Sequence, residues 1–186
     1  MLRFNSDHKF KIMQIADTQE IPAVSPDTLS LINNALDREK PDLVIFTGDQ
    51  IKGYSKKFKK DPAIIEGTID TLVEPIAKRN IPFMVTYGNH DAQCGVDNRG
   101  QYKFYAKYDN FISGDLRNAD DVGTADIQIY SSTEDKPVFE LYIIDSHGKA
   151  KDGAGYAPVD KKQIEWYVSR REQLKAENGD YLPSLV

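Results

Sequence analysis

Three short polar blocks, each directly behind an apolar run, carry the residues able to do chemistry. They are Ala16-Asp17-Thr18-Gln19, Thr47-Gly48-Asp49-Gln50 and Tyr87-Gly88-Asn89-His90-Asp91. Asp17 and Asp49 offer carboxylates, Gln19 and Asn89 offer amides, and His90 offers an imidazole. Oxygen and nitrogen donors of this kind suit divalent ions such as Mn, Fe or Zn. A lone aspartate behind a strand is ordinarily a turn former or a helix cap. Three such ends in order are not accounted for by capping, and Gly88-Asn89-His90-Asp91 places two candidate ligands behind one apolar run.

The elements that would position them follow from hydrophobic patterning. Lys11 to Ala16 reads as a strand that stops at Asp17, Leu43 to Thr47 as a strand covered on both faces, and Ile81 to Thr86 as a third. Between them, apolar residues 29, 32, 35 and 36 form a helical stripe opened by Ser25-Pro26-Asp27. Asp61-Pro62 reads as an N-cap with proline in the first turn, starting a helix towards Asn80 that Pro75 would kink or break. This strand–helix–strand–helix–strand order predicts an α/β fold with parallel strands. The carboxyl ends of such strands share one edge, where ligands bind. Asp17, Asp49, Asn89 and His90 would meet there despite separations of 32 and 40 positions.

The second half is less regular. Gln101 to Phe111 is compatible with helix, Ile127–Tyr130 and Val138–Ile144 with two strands, and Asp160 with Gln163 makes a capping-box-like helix start. The last helix carries a stripe of Ile164, Tyr167/Val168 and Leu174 and stops at Gly179, after which Leu182 to Val186 reads as the entry to another strand.

With 186 residues and 40% hydrophobic content, the chain suits one domain with a substantial core. Twenty-four Lys and Arg against 29 Asp and Glu give a net charge of −5, which argues against a broad nucleic-acid surface. No apolar run approaches the roughly 18 residues of a membrane span. Residues 1–8 hold no apolar signal core, and one cysteine builds neither a disulfide within the chain nor a cysteine-based zinc site. The expectation is a soluble, cytoplasmic protein with neither membrane nor nucleic acid as a partner.

The three blocks resemble the calcineurin-like metallophosphoesterases, which include the purple acid phosphatases. That family's pattern is Asp-x-His, then Gly-Asp, then Gly-Asn-His-Asp/Glu, then two later histidine motifs. Asp145-Ser146, Gly155-Tyr156 and Gln163-Ile164-Glu165-Trp166 are similar to one purple-acid-phosphatase-like branch, so the resemblance spans about residues 10–170. It implies a layered α/β fold with central β-sheets flanked by helices, and a phosphate ester as substrate. It also implies two divalent or trivalent metal ions (Mn, Fe or Zn). Carried over by position, Asp17 and Gln19 would bind the first metal, Asp49 would bridge both, Asn89 would bind the second, and His90 would face the substrate as the catalytic residue. A carboxylate has two oxygens to share between cations, and two ions about 3.5–4 Å apart suit in-line displacement at phosphorus.

Three departures stand out. Gln19 replaces the first-block histidine, and Lys52 stands where the Gly-Asp-x-x-Asp form has an acid to partner the catalytic histidine. Both later histidine motifs are missing, since only His8 and His147 remain besides His90. The expectation is therefore a fold whose C-terminal part is absent, or a catalytically weak or inactive binding domain on the same scaffold. A doubly wound nucleotide domain is a third reading, but no Gly-x-Gly-x-x-Gly or P-loop pattern is present.

Other signals read more plainly. Lys56, Lys57, Lys59 and Lys60 suit a solvated loop or an electrostatic funnel for an anion. Cys94 reads as a small buried or loop thiol, and His147 either as a histidine reaching the active edge or as an exposed loop histidine. Tyr102, Tyr105, Tyr108, Phe111 and Trp166 read as packing residues.

Overall fold

A computed structural model describes residues 1–118, 121–150, 152–153 and 155–186. In chain order the elements are β1 (Leu2–Arg3), β2 (Ile12–Ile15), α1 (Pro26–Glu39), β3 (Leu43–Thr47), α2 (Pro62–Ala77) and β4 (Phe83–Thr86). They continue with α3 (Asn98–Ala106), β5 (Asp115–Asn118), β6 (Asp121–Tyr130), β7 (Pro137–Ile143), α4 (Lys161–Asn178) and β8 (Ser184–Leu185). Short 3₁₀ turns cover Lys56–Phe58 and Asp91–Cys94.

Strands β2, β3 and β4 form one parallel sheet in that order, with Ile15 beside Phe46 and Thr47 beside Thr86. The order follows from the two helical crossovers, which parallel neighbours require. A second sheet runs β1-β6-β7-β8, with β5 antiparallel to β6. Alternation along the first sheet divides the core. Val44, Phe46, Phe83 and Val85 face the helices, where they meet Ile32, Leu36, Ile65, Ile69 and Leu72. Leu43, Ile45 and Met84 face the second sheet and meet Leu2, Ala125, Ile129, Leu141 and Ile143. Opposite sides of a strand thus serve two cores, as the period of two demands. On the far side of the second sheet, Tyr142 packs edge-on against Trp166 and Tyr167 of α4. The result is helices, sheet, sheet, helix: the layered α/β arrangement expected.

Several local expectations need correction. Pro75 lies buried inside α2 without ending it; the helix runs to Ala77. Proline removes a single bond here, and the helix ends two residues later in any case. The helix read across Gln101 to Phe111 starts earlier and stops at Ala106, and Phe111 bridges to Phe83 instead. Strand β6 begins at Asp121 rather than Ile127, and β5 was not foreseen. Of the stripe expected on α4, Leu174 is buried, but Ile164 and Val168 are about half exposed, and Gln163, outside that stripe, is buried. The cause lies in the sheet face that α4 covers, which presents Asp121, Thr124, Asp126 and Glu140, all buried. A helix facing such a surface needs donors, and Gln163 and Arg170 supply them to Thr124 at 3.0 Å and Asp126 at 3.0 Å.

Candidate active site

The three polar blocks continue the parallel sheet past the ends of its strands. The backbone N–H groups of Asp17, Gln19 and Glu20 donate to the carbonyls of Gly48, Asp49 and Gln50 at 3.1, 2.9 and 3.1 Å, and Thr18 Oγ1 donates to Gln50 O at 2.7 Å. Asp17, Gln19 and Asp49 all have positive φ, at 53°, 43° and 52°. This region disfavours L side chains, and residues held there typically cost of order 1–3 kcal/mol each. Such clustering accompanies functional turns, because the surrounding fold must enforce it.

Two glycines permit the close approach of the second and third blocks. A Cβ on Gly48 would overlap the Gly88 backbone, and one on Gly88 would overlap the Asp49 carboxylate. Asp49 therefore lies directly on the third block, and its Oδ1 accepts the His90 N–H at 2.8 Å. The structure sets the Asp49 carboxylate against the Gly88 and His90 backbone, on the turn that also carries Asn89. It brings Asp17 and Gln19 to the same edge through backbone pairing. Asp49 is 7% exposed. Asp17 is exposed, and Gln19, Asn89 and His90 are half-buried.

Asp91, absent from the set read as ligands, ties the edge together. It is 1% exposed, and its Oδ2 accepts from Asp49 N and Gly88 N, both at 2.8 Å. Its Oδ1 accepts from Gln50 N at 3.0 Å and Ile51 N at 3.3 Å. Burial raises its pKa to about 6, and hydrogen bonds from Gly88, Ile51 and Asp49 oppose that rise. Its place in Gly88-Asn89-His90-Asp91 was the available signal.

The missing acidic partner of His90 has a neutral substitute. His90 Nδ1 lies 3.2 Å from Gln93 Oε1, while Gln93 Nε2 donates to Asn89 O at 2.9 Å. That second bond fixes the amide, so its oxygen faces the ring and Nδ1 is the donor. Nε2 is left to point elsewhere. Tyr54 packs against the imidazole with centroids 4.8 Å apart. Neither contact was legible in the sequence, since Gln93 and Tyr54 match no block.

The fit to metal ions can be judged from the donors. Among the described residues Asn89 Nδ2 is buried without a hydrogen-bond partner, so no donor bond locks the amide in place. Asp49 Oδ1 takes only a backbone N–H, leaving Oδ2 uncommitted. Two carboxylates and two amides make an oxygen set that fits hard cations. Among the described residues no group of three or more His, Cys, Asp and Glu gathers at metal-binding spacing, and that includes Asp17, Asp49 and His90.

A second loop borders this edge. A Cβ on Gly148 would touch Asn89 O at 3.8 Å, so the chain leaving β7 reaches the third block. His147 turns its ring away, with Nε2 3.6 Å from Asp160 Oδ2, and its backbone N–H donates to Asp145 Oδ1 at 2.8 Å. Asp145 also accepts from Asn98 Nδ2 at 2.8 Å, and burial raises its pKa. His8 sits far from this edge in contact with Ser132. Cys94 is buried, as expected, and burial pushes its thiol pKa up. Tyr105, Tyr108 and Phe111 pack against Phe46 and Phe83.

Fold and strand-end geometry together define a class, and comparison with known proteins agrees. Residues 10–182 match the family model for calcineurin-like phosphoesterases. The chain belongs to that family. It is 28% identical over 95% of its length to "Probable inactive purple acid phosphatase 14" of Arabidopsis thaliana, covering 50% of that protein. It is 31% identical over 89% of its length to "Phosphatase DCR2" of Saccharomyces cerevisiae, covering 32%. The chain thus spans half or less of the length of these relatives. A dimetal phosphatase from Danio rerio shares the fold, with a TM-score of 0.52 and 15% identity over 89% of this chain and 54% of the other. No described helix is long and apolar enough to cross a membrane.

Proposed function

We propose that the protein is a metal-dependent phosphoric ester hydrolase acting on a phosphate ester, with monoesters favoured over diesters. The carrying observation is the convergence of three strand ends in which Asp49 is bonded to the backbone of His90 at 2.8 Å. Asp17 and Gln19 would hold one metal, Asp49 would bridge, and Asn89 would hold the second. The all-oxygen donor set suits Mn among the candidates. Bound metal ions would supply an activated water and neutralise charge on the phosphoryl group. His90 is held by Gln93 through Nδ1, so Nε2 is the atom that meets the substrate and handles the leaving-group proton. Asp91 positions the turn that carries Asp49, and the glycines admit the close approach.

The test is hydrolysis of 4-nitrophenyl phosphate by the full-length protein with Mn²⁺, beside Asp49→Asn and His90→Ala. Each substitution is expected to lower kcat/KM by at least 100-fold. Full turnover in both variants would overturn the assignment. The amides at Gln19 and Asn89 support a second reading, a binding domain that retains the fold without turnover. Elemental analysis separates the two, because a scaffold of that kind retains no stoichiometric metal.

A further inference from the structure

The lysine run following Asp49 is not a detached loop. Its Phe58 is 1% exposed and belongs to the main core, and Ser55 caps the turn by accepting from Lys57 N. Gly53 lies so close to the third block that a Cβ would overlap His90 O, and the Lys60 side chain lies against Gly95. Lys59 and Lys60 both take positive φ, at 54° and 55°, so the backbone turns sharply where it carries them. The segment is thereby pressed onto the His90–Cys94 turn.

Where the two meet lies a cavity of about 350 Å³ lined by Tyr54, Lys56, Lys59 and Lys60 of the lysine segment and by Gln93 and Cys94 of the turn. Gln93 and Tyr54 are the residues that hold His90. The cavity therefore shares walls with the imidazole. Its cations are unbalanced: Lys56, Lys59 and Lys60 have no ion pair among the described residues, and neighbouring Asp61 is committed to capping α2 through Ala63 N at 2.9 Å. Lys52 adds a further positive charge, 5.3 Å from the Tyr54 ring centroid. In a chain of net charge −5, four lysines in five positions beside the catalytic imidazole form a local field of opposite sign.

We infer that this cavity is a second anion subsite, and that the preferred substrate is a small phosphomonoester carrying a further phosphate group. The inference rests on the hydrolase reading above and adds the substrate class. A cavity of this size takes a phosphate but not a folded partner, and lysine ammonium groups bind phosphate as point charges without demanding one geometry.

The experiment compares propane-1,3-diol bisphosphate and hexane-1,6-diol bisphosphate with their monophosphates, using the full-length protein with Mn²⁺. The wild-type protein is expected to favour at least one bisphosphate by tenfold or more in kcat/KM. In Lys56→Gln/Lys59→Gln/Lys60→Gln that ratio should fall to about one. Lys56→Gln alone, at an exposed position, should lower the ratio in the same direction. No preference in the wild-type protein, or an unchanged ratio in the variants, overturns the inference. A separate calorimetric titration with the corresponding non-hydrolysable alkane bisphosphonates, in the presence of chelator, reads the subsite without turnover. Lysine-dependent binding without hydrolysis of any ester would sink the hydrolase reading and keep the subsite. Hydrolysis without preference and without lysine-dependent binding would do the reverse.

Discussion

Asp91 accepts four backbone N–H groups from the two turns that bear Asp49 and Gly88. Asparagine has nearly the same shape but would aim an NH₂ at two of those donors. Charge-assisted hydrogen bonds are worth about 1.5–3 kcal/mol each, so Asp91→Asn should destabilise the protein by about 2–4 kcal/mol and weaken Mn²⁺ retention. Urea unfolding and metal titration check this, and an unchanged midpoint would show that the turns hold without the carboxylate. Gln93 acts one step further out, by setting the tautomer and direction of His90. Gln93→Leu should lower kcat about tenfold while leaving KM within a factor of two, because a swinging imidazole loses proton-transfer geometry rather than ground-state contacts. A fall confined to KM would assign Gln93 to substrate binding instead. At this scale the meeting of the Asp17, Asp49 and Asn89–His90 blocks at one sheet edge was legible, because each of the three blocks stands behind its own apolar run. Gln93 and Tyr54 were not, since their roles come from a turn folding back on His90.

Among the elements, α4 departs most from its hydrophobic pattern, because it covers a sheet face lined with carboxyl groups. Asp126 pairs with Arg170 at 3.0 Å. Glu140 lies beside Asp126 with both carboxyl oxygens buried and, among the described residues, no donor supplied to them. Two facing carboxyls with no donor between them favour one shared proton over two charges, which pushes Glu140 towards its protonated form. Burial, then contact with Asp126, raises its pKa to about 9 from an ordinary 4.5, while Arg170 opposes the rise. The unfolded chain releases that proton near pH 4.5 and the folded protein keeps it until about pH 9. Between these values the folded state binds more protons, so Glu140's contribution makes stability fall as pH rises. Glu140→Gln keeps a donor for Asp126 and removes the titration. It should stabilise the protein at pH 8 by about 1–3 kcal/mol and change little at pH 4.5. Thermal melts at the two pH values decide it, and an equal gain at both would mean that Glu140 is not the proton carrier. Strand β7, the end of β6 and the cap of α4 were readable from alternation and from Asp160 with Gln163, whereas β5 and the first half of β6 were not. The inward face of α4 was not, because a polar face covering polar partners leaves no hydrophobic stripe.

For the molecule as a whole, the candidate site is the sheet edge itself. Asp17, Gln19 and Glu20 pair by backbone with residues 48–50 just as β2 pairs with β3, so the donors exist as a group only when the parallel sheet is formed. The order of helices and strands made that convergence legible. The strained positive φ values at Asp17, Gln19 and Asp49 were not, since nothing in their side chains requires them. Ligands assembled only by folding couple metal binding to stability. An ion that binds the folded state alone at 100 times its Kd adds about 2.7 kcal/mol, or roughly 5–11 °C in Tm for a chain of this size. Mn²⁺ should therefore raise the melting temperature by that amount, and Asp49→Asn should abolish the rise while the metal-free melt stays nearly where it was. The same titration tests the donor set. A site built from carboxylate and amide oxygens should show a Zn²⁺ shift at least as large as the Mn²⁺ shift, because divalent affinity at oxygen and nitrogen donors is higher for Zn²⁺ than for Mn²⁺. A melt indifferent to every divalent ion would turn the balance to the binding-domain reading, because a folded edge with these donors would then be holding its strain for something other than a metal.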